Sequence, residues 1–135
     1  MEPTLRPNDL VLALPYQEVP LERGEMVLFY PPHQTQNQFY IKRVLGLPGD
    51  HLQMSQGQLK LNYTPLNEPY IHPSKDSFLL KQPLLEREFF VLGDHRAASL
   101  DSRYFGPVFD QDIKKRVLSC FRQGRFIALP SFGYN

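Results

Sequence analysis

The hydrophobic positions of this chain fall into short runs that end at glycine or proline. Most runs contain four to seven residues and are rich in branched and aromatic side chains. This pattern is typical of β-strands and gives little support to long helices. We predict strands at about residues 9–14, 25–30, 38–45, 51–54, 58–62, 88–92 and 113–121. The pattern therefore predicts an all-β fold.

A loop-rich stretch divides the predicted strands into two groups. Residues 63–88 contain four prolines, and Gly57 between two glutamines indicates a hairpin turn at 55–58. We predict one domain over residues 1–135, whose core consists of about residues 1–50 and 89–122. In this interpretation about residues 51–88 are a loop-rich β insertion between the two halves of one barrel.

Composition and charge exclude several classes of function. The 135 residues include 15 basic and 14 acidic side chains, so the net charge of +1 lacks the basic excess of a nucleic-acid binder. The single cysteine, Cys120, excludes an internal disulfide and a cysteine-built zinc site. The four histidines show no pairwise ligand spacing, and we expect neither a metal nor another cofactor. No apolar stretch approaches the ~20 residues that span a bilayer, and the first residues do not resemble a signal peptide.

Lys42 and Arg43 lie within a predicted apolar strand and would point to opposite faces. One interpretation is that one or both cations reach solvent at the edge of a sheet. The other is that Lys42 acts as a general base, a role that arginine cannot fill because it keeps its proton. Lowering a lysine pKa from about 10.4 to about 8 requires about 3 kcal/mol, which burial among apolar groups can supply.

Residues 93–106 concentrate polar side chains directly after a predicted buried strand. Those with possible chemistry are Asp94, His95, Arg96, Ser99, Asp101, Ser102 and Arg103. Pairing of the two aspartates with the two arginines would make this loop rigid and would aim a serine at a neighbour. A Ser-His-Asp triad is disfavoured, because triad members normally come from separated segments of the chain.

Four segments, taken in order, resemble the motifs of the type I signal peptidases, which are serine–lysine proteases. Residues 1–5 (Met-Glu-Pro-Thr-Leu) are similar to Ser-Met-x-Pro-Thr-Leu without its serine, and residues 23–25 (Arg-Gly-Glu) are similar to Arg-Gly-Asp. Residues 42–50 (Lys-Arg-Val-Leu-Gly-Leu-Pro-Gly-Asp) match the lysine motif throughout. Residues 93–103 match the last motif, except that His95 replaces its asparagine. The family's Asn-Gly turn and Glu-Pro-Tyr piece have counterparts at Asn62 and at residues 68–70.

This resemblance implies a signal-peptidase-type, barrel-like antiparallel β fold and assigns roles to individual residues. Lys42 would be the general base, and Ser99 would hydrogen-bond and orient it. A salt-bridged scaffold would consist of Asp94, Arg96, Asp101 and Arg103. The partner would be the signal peptide of an exported preprotein, bound as an added strand. For the substrate contacts we expect Met1, Pro3, Leu10, Leu12, Phe39 and Tyr40.

The nucleophilic serine of the family precedes the position of Met1. We therefore expect the 135 residues alone to be inactive, either as a truncated piece of an active enzyme or as a serine-less peptide-binding accessory subunit. The resemblance also implies a membrane anchor upstream of the serine and a catalytic domain on the extracytoplasmic side. An apolar rim of Met1, Leu5, Pro31 and Pro32 would meet the lipid bilayer. A self-cleaving repressor protease is a third interpretation, which the near-neutral charge disfavours.

Overall fold

The main sheet contains seven antiparallel strands. The computed structural model describes residues 1–17, 19–33 and 38–130. The strands of its larger sheet are β1 (Leu10–Pro15), β2 (Met26–Phe29), β3 (Tyr40–Gly46), β8 (Glu88–Leu92), β9 (Val108–Phe109), β10 (Ile113–Arg122) and β11 (Arg125–Ala128). They lie in the order β1-β10-β2-β3-β8-β9, with β11 beside β10. The all-β prediction is confirmed, but the sheet is not a closed barrel, because β1 and β9 remain its two ends within the described residues.

A second, four-stranded sheet has the order β6-β5-β4-β7. Its strands are β4 (Leu52–Ser55), β5 (Gln58–Leu61), β6 (Thr64–Pro65) and β7 (Phe78–Leu79). The predicted hairpin turn joins β4 to β5, with Gln56 at φ 49° and Gly57 at φ 81°. Two consecutive positive φ angles are the mark of a type I′ turn, whose twist matches that of the strands.

Two further hairpins have the same backbone geometry. Asn62 (φ 49°) and Tyr63 (φ 71°) connect β5 to β6, and Gln123 (φ 47°) and Gly124 (φ 78°) connect β10 to β11. Tyr63 occupies the second turn position, where the Asn-Gly signal would have glycine. The strand β6 was not predicted, since a two-residue strand containing proline carries almost no periodicity.

The seven predicted strands all occur, each within two residues of its predicted bounds. Those that the pattern missed, β6, β7, β9 and β11, have only two to four residues. The helical structure consists of α1 (Ser102–Phe105) and the 3₁₀ turns Arg96–Ala98 and Asp110–Asp112. Across the described ranges, no helix is long and apolar enough to cross a membrane.

Strand β3 contributes to all three hydrophobic clusters of the structure. Val44 packs with Phe29 and Val91 in the first cluster, and Leu45 packs in the second, which lies against the smaller sheet. Ile41 packs at the border of the third cluster. Val44 and Leu45 are consecutive and point to opposite faces of the sheet, so β3 has packed side chains on both faces.

Candidate active site

Strand β3 presents its two cations to opposite faces of the main sheet. Lys42 pairs in register with Val27, and Arg43 pairs with Met26. Consecutive residues of a strand point to opposite faces, and each cation shares its face with its paired residue on β2. The two cations therefore lie in different surroundings. The interpretation that one or both cations reach solvent at a sheet edge is wrong, because β3 is an internal strand. Arg43 is only 1% exposed, and Lys42 is half-buried.

Lys42 is a half-buried lysine. Burial lowers the pKa of Lys42 below its ordinary value, because an ammonium ion loses hydration there. The charge of Asp101 opposes this effect on the pKa, that of Arg103 adds to it, and that of Asp94 opposes it. Because burial is the largest of these effects, the site favours the neutral amine more than water does. The Nζ atom also lies 5.8 Å from the ring centroid of Tyr40.

Ser99 contacts Lys42 directly. Lys42 Nζ donates to Ser99 Oγ over 3.0 Å, and Ser99 Oγ donates its own proton to Asp101 Oδ2 over 2.7 Å. A hydroxyl has one proton to give, so Ser99 accepts from the lysine and leaves the lone pair of a neutral amine free. Gly93 makes room for this contact, because a Cβ there would lie 2.1 Å from Ser99 Oγ and 3.4 Å from Lys42 Nζ.

Asp101 organises the loop around Ser99. Its carboxylate accepts hydrogen bonds from the Gly93 N–H, from Ser99 and from the Arg103 side chain, and it caps α1 by accepting from the Arg103 N–H. Burial alone would raise the pKa of Asp101, but the hydrogen bonds from Arg103, Gly93 and Ser99 together hold it below its usual range. Asp101 is therefore a fixed anion whose charge is largely met by Arg103.

Asp94 pairs with Arg43 on the other face of β3. Two guanidinium nitrogens of Arg43 donate to the Asp94 carboxylate over 2.6 and 2.9 Å, and both side chains are at most 1% exposed. Thr4 Oγ1 donates to the same carboxylate over 2.5 Å. The pair therefore links β3, the loop after β8 and the first residues of the chain.

The expectation that both aspartates of the loop pair with its two arginines is wrong for Asp94 and for Arg96. Arg96 is buried and instead forms a bidentate salt bridge with Glu68, at 2.6 and 3.1 Å. Arg103 does pair with Asp101, and it also reaches Asp76 over 2.6 Å. All four predicted scaffold residues carry salt bridges, but three of the partners lie outside the loop. The local sequence could not show this, because the partners Arg43, Glu68 and Asp76 lie on other segments of the chain.

The first residues of the chain are held by hydrogen bonds of Thr4. Thr4 bonds Asp94 through its side chain, and its carbonyl accepts from Arg122, which also pairs with Asp9. Burial, and next the positive charge of Lys42, lower the pKa of the Met1 α-amino group. The Met1 nitrogen is therefore within electrostatic range of Lys42.

The predicted substrate-contact residues fall into two groups. Tyr40 is half-buried, with its ring centroid 5.8 Å from Lys42 Nζ. Met1 is half-buried within electrostatic range of Lys42, and Pro3 is exposed on the same segment as Met1. Phe39 is exposed and stacks on Tyr30 with centroids 4.5 Å apart. Leu10 and Leu12 are exposed on β1, which is three strand spacings from β3, or about 14 Å along the sheet. Their role in binding substrate stays a prediction.

Sequence reasoning missed three residues that hold this site together. Arg43 was set aside because it cannot act as a base, although it is the partner of Asp94. Glu68 lies in the Glu-Pro-Tyr piece and was not connected with Arg96. Arg122 carried no signal, because nothing in a strand pattern shows that one side chain crosses to the carbonyl of Thr4.

A family model described as signal peptidase, peptidase S26, matches residues 1–121. The chain belongs to the signal peptidase family. A signal peptidase I from Leptolyngbya laminosa is 36% identical over 98% of this chain, and a probable signal peptidase I-2 from Synechocystis is 39% identical over 98%. The chain spans 71% and 62% of the lengths of these two relatives.

The fold is also similar to a solved member of the family. The crystal structure of a signal peptidase I from Enterococcus faecalis superposes with a TM-score of 0.59 at 28% sequence identity. The match covers 70% of this chain and 94% of that one. The residues around Lys42 are therefore part of a peptidase fold of the signal peptidase family.

Replacing Asp94 by asparagine is expected to destabilise the chain by about 3–5 kcal/mol, because it leaves the buried Arg43 charge uncompensated. The matched control is Asp110→Asn, whose partner Arg87 is 62% exposed; the expected loss is about 0–1 kcal/mol. Urea unfolding measures both losses. Similar small losses in the two variants would contradict a structural role for the Arg43–Asp94 pair.

The lowered pKa of Lys42 predicts a pH-dependent stability difference between the wild type and Lys42→Met. Below the folded pKa both states of the wild type are protonated, so burying the charge costs stability and the variant is the more stable form. As pH rises towards the ordinary value of 10.5, the folded lysine loses its proton first, and the wild type recovers that stability. Urea unfolding at a series of pH values measures the difference, with exposed Lys81→Met as control. A difference that is constant with pH would refute the lowered pKa.

Proposed function

We propose that this chain is the catalytic domain of a signal peptidase that cleaves signal peptides from exported preproteins with a Ser/Lys dyad. The supporting observation is the position of Lys42, half-buried with its Nζ atom 3.0 Å from Ser99 Oγ and with a lowered pKa. In the family motif the nucleophilic serine is bonded to the nitrogen of Met1, which is within electrostatic range of Lys42. We propose that a serine at this position reaches the amine.

In the proposed mechanism the serine Oγ attacks the scissile carbonyl and neutral Lys42 takes its proton. The tetrahedral intermediate then collapses, the C–N bond breaks, and the Lys42 ammonium returns the proton to the leaving amine. This leaves an acyl-enzyme. Lys42 next removes a proton from water, and the resulting hydroxide attacks the acyl carbon. The bond between that carbon and the serine Oγ then breaks, which releases the new carboxyl group, and the Lys42 ammonium returns its proton to the serine Oγ.

Ser99 and Asp101 support this cycle by holding the amine in place. The Ser99 hydroxyl donates its proton in a hydrogen bond to Asp101, so it does not compete with the nucleophile for the lone pair of Lys42. The negative charge of Asp101 would favour the ammonium form, but Arg103 neutralises much of it. This balance suits a base that must accept a proton and then give it back.

The experiment compares two polypeptides, one that begins at Met1 and one extended by a serine before Met1. We expect the extended form to cleave a signal-peptide substrate and the shorter form to show no Lys42-dependent cleavage. Lys42→Met should abolish cleavage, whereas Lys81→Met, an exposed lysine, should leave it unchanged. Removing Ser99 Oγ with Ser99→Ala should reduce kcat by about 10²-fold or more, because the base loses its orientation.

Two outcomes of this comparison would reject the proposed role. The first is cleavage that persists in Lys42→Met. The second is a serine-extended form that binds the signal peptide without cutting it, as a peptide-binding accessory subunit would. A substrate with leucine in place of alanine before the cut provides the specificity control, since a signal peptidase of this type requires a small residue there.

We further propose that the domain works at a lipid surface on the extracytoplasmic side of a membrane, anchored by a segment upstream of the serine. The rim expected from the sequence is not available for this contact, because Leu5 and Pro31 are buried. Exposed apolar side chains lie instead on β1 and β11, at Leu10, Leu12, Leu14 and Phe126. They form the β1–β11 apolar surface, in which Leu10 and Phe126 are both paired to Phe121 of β10.

The double variant Leu12→Asp, Phe126→Asp is expected to lose about tenfold or more of its binding to phospholipid vesicles. Each lost side chain would remove about 1.5–3 kcal/mol of apolar burial. Vesicle co-sedimentation measures the bound fraction. Leu79→Asp on the second sheet, where Leu79 is 65% exposed, is the control and should bind as the wild type does. Equal binding by all three proteins, or none by the wild type, would exclude this surface as a lipid contact.

A further inference from the structure

The imidazoles of His72 and His95 lie side by side, with ring centroids 5.1 Å apart and planes inclined at 52°. The backbone holds them there. His72 and His95 form a parallel bridge, in which the His72 N–H donates to the Asp94 carbonyl and the Arg96 N–H donates to the His72 carbonyl, each over 2.9 Å. Residues paired in such a bridge project their side chains to the same side. The rings are thus brought together without any bond between their own nitrogen atoms.

Both rings are accessible from solvent, since His72 is exposed and His95 is partly exposed. Within residues 1–17, 19–33 and 38–130, neither imidazole hydrogen-bonds to another group. The nearest acidic side chains of the site are engaged, Asp94 with Arg43 and Glu68 with Arg96. Nothing in the catalytic scheme requires His95, which stands where the signal peptidase motif has asparagine.

We propose that His72 and His95 chelate a divalent transition-metal ion that prefers imidazole, such as Cu²⁺, Zn²⁺ or Ni²⁺. Neutral imidazole is the commonest protein ligand for these ions, whereas Mg²⁺ and Ca²⁺ prefer oxygen. Among these ions Cu²⁺ binds such a site most tightly. Water would complete the coordination shell, because the neighbouring carboxylates are already paired.

The spacing of the rings allows one shared ion once a nitrogen of each ring is turned toward it. A metal bound at about 2.0–2.1 Å from a ring nitrogen lies about 3.2 Å from the ring centroid. Two such distances span 5.1 Å when the angle at the metal is about 105°, which is close to the tetrahedral angle. The parallel bridge holds the two backbone segments together, so rotation of the side chains supplies the remaining adjustment.

The bound ion would connect residue 72 to the loop that carries Asp94 and Arg96. Because the ion binds the folded chain, in which the two rings are adjacent, it should stabilise that chain by mass action. The proposal is independent of the proposed peptidase activity, and its test needs no substrate.

The experiment titrates the 135-residue chain with CuCl₂ and with ZnCl₂, followed by calorimetry and thermal unfolding. We expect one ion per chain and a rise in Tm, and no effect of MgCl₂. His95→Asn, which restores the family residue, and His72→Asn should each lower the affinity by about tenfold or more and abolish the rise in Tm. The control is His33→Asn, because His33 is exposed and its φ of 62° is one that asparagine adopts readily; it should behave as the wild type.

Electron paramagnetic resonance of the Cu²⁺ form provides a second readout, with coupling to two imidazole nitrogens expected in the wild type and to one in either site variant. Circular dichroism shows whether the variants keep the fold. Absence of one-to-one binding, an affinity unchanged by His95→Asn, or an equal loss in His33→Asn would each overturn the proposal.

Discussion

The Arg43–Asp94 ion pair is the interaction on which the geometry of the site depends. Both side chains are almost fully buried, so each charge has given up its hydration and is compensated by the other. The pair joins the central strand β3 to the loop after β8, and Thr4 attaches the first residues to the same carboxylate. Removing one partner would leave a buried charge uncompensated. The ion pair and the Thr4 hydrogen bond therefore hold three segments of the chain together.

On the opposite face of β3, the surroundings of Lys42 differ from those of Arg43. Lys42 has no salt bridge among the described residues, and burial lowers its pKa. Asp101 lies near enough to act on Lys42, but its oxygens already serve Arg103, Ser99 and the Gly93 N–H. Two consecutive residues of one strand are therefore a permanently charged arginine and a lysine whose pKa is lowered.

The second sheet contributes to this site from a distance. The segment between β6 and β7 supplies Glu68 to Arg96 and Asp76 to Arg103, so both arginines of the loop are bound by residues outside it. His72 belongs to the same segment and adds a backbone bridge to His95. Side chains of the segment that the sequence predicts as a loop-rich insertion thus bind both arginines of the Ser99 loop.

The sequence by itself determined the β class, seven of the strands and the motif residues, because alternation, turn formers and motif spacing are local properties of the chain. It also placed Lys42 and Ser99 in separate motifs of one family. Only the tertiary structure decided that Asp94 pairs with Arg43 and Arg96 with Glu68, and that His72 meets His95. The physical reason is that these contacts depend on strand register and on which charges are buried together, and neither is visible in the spacing of residues along one segment.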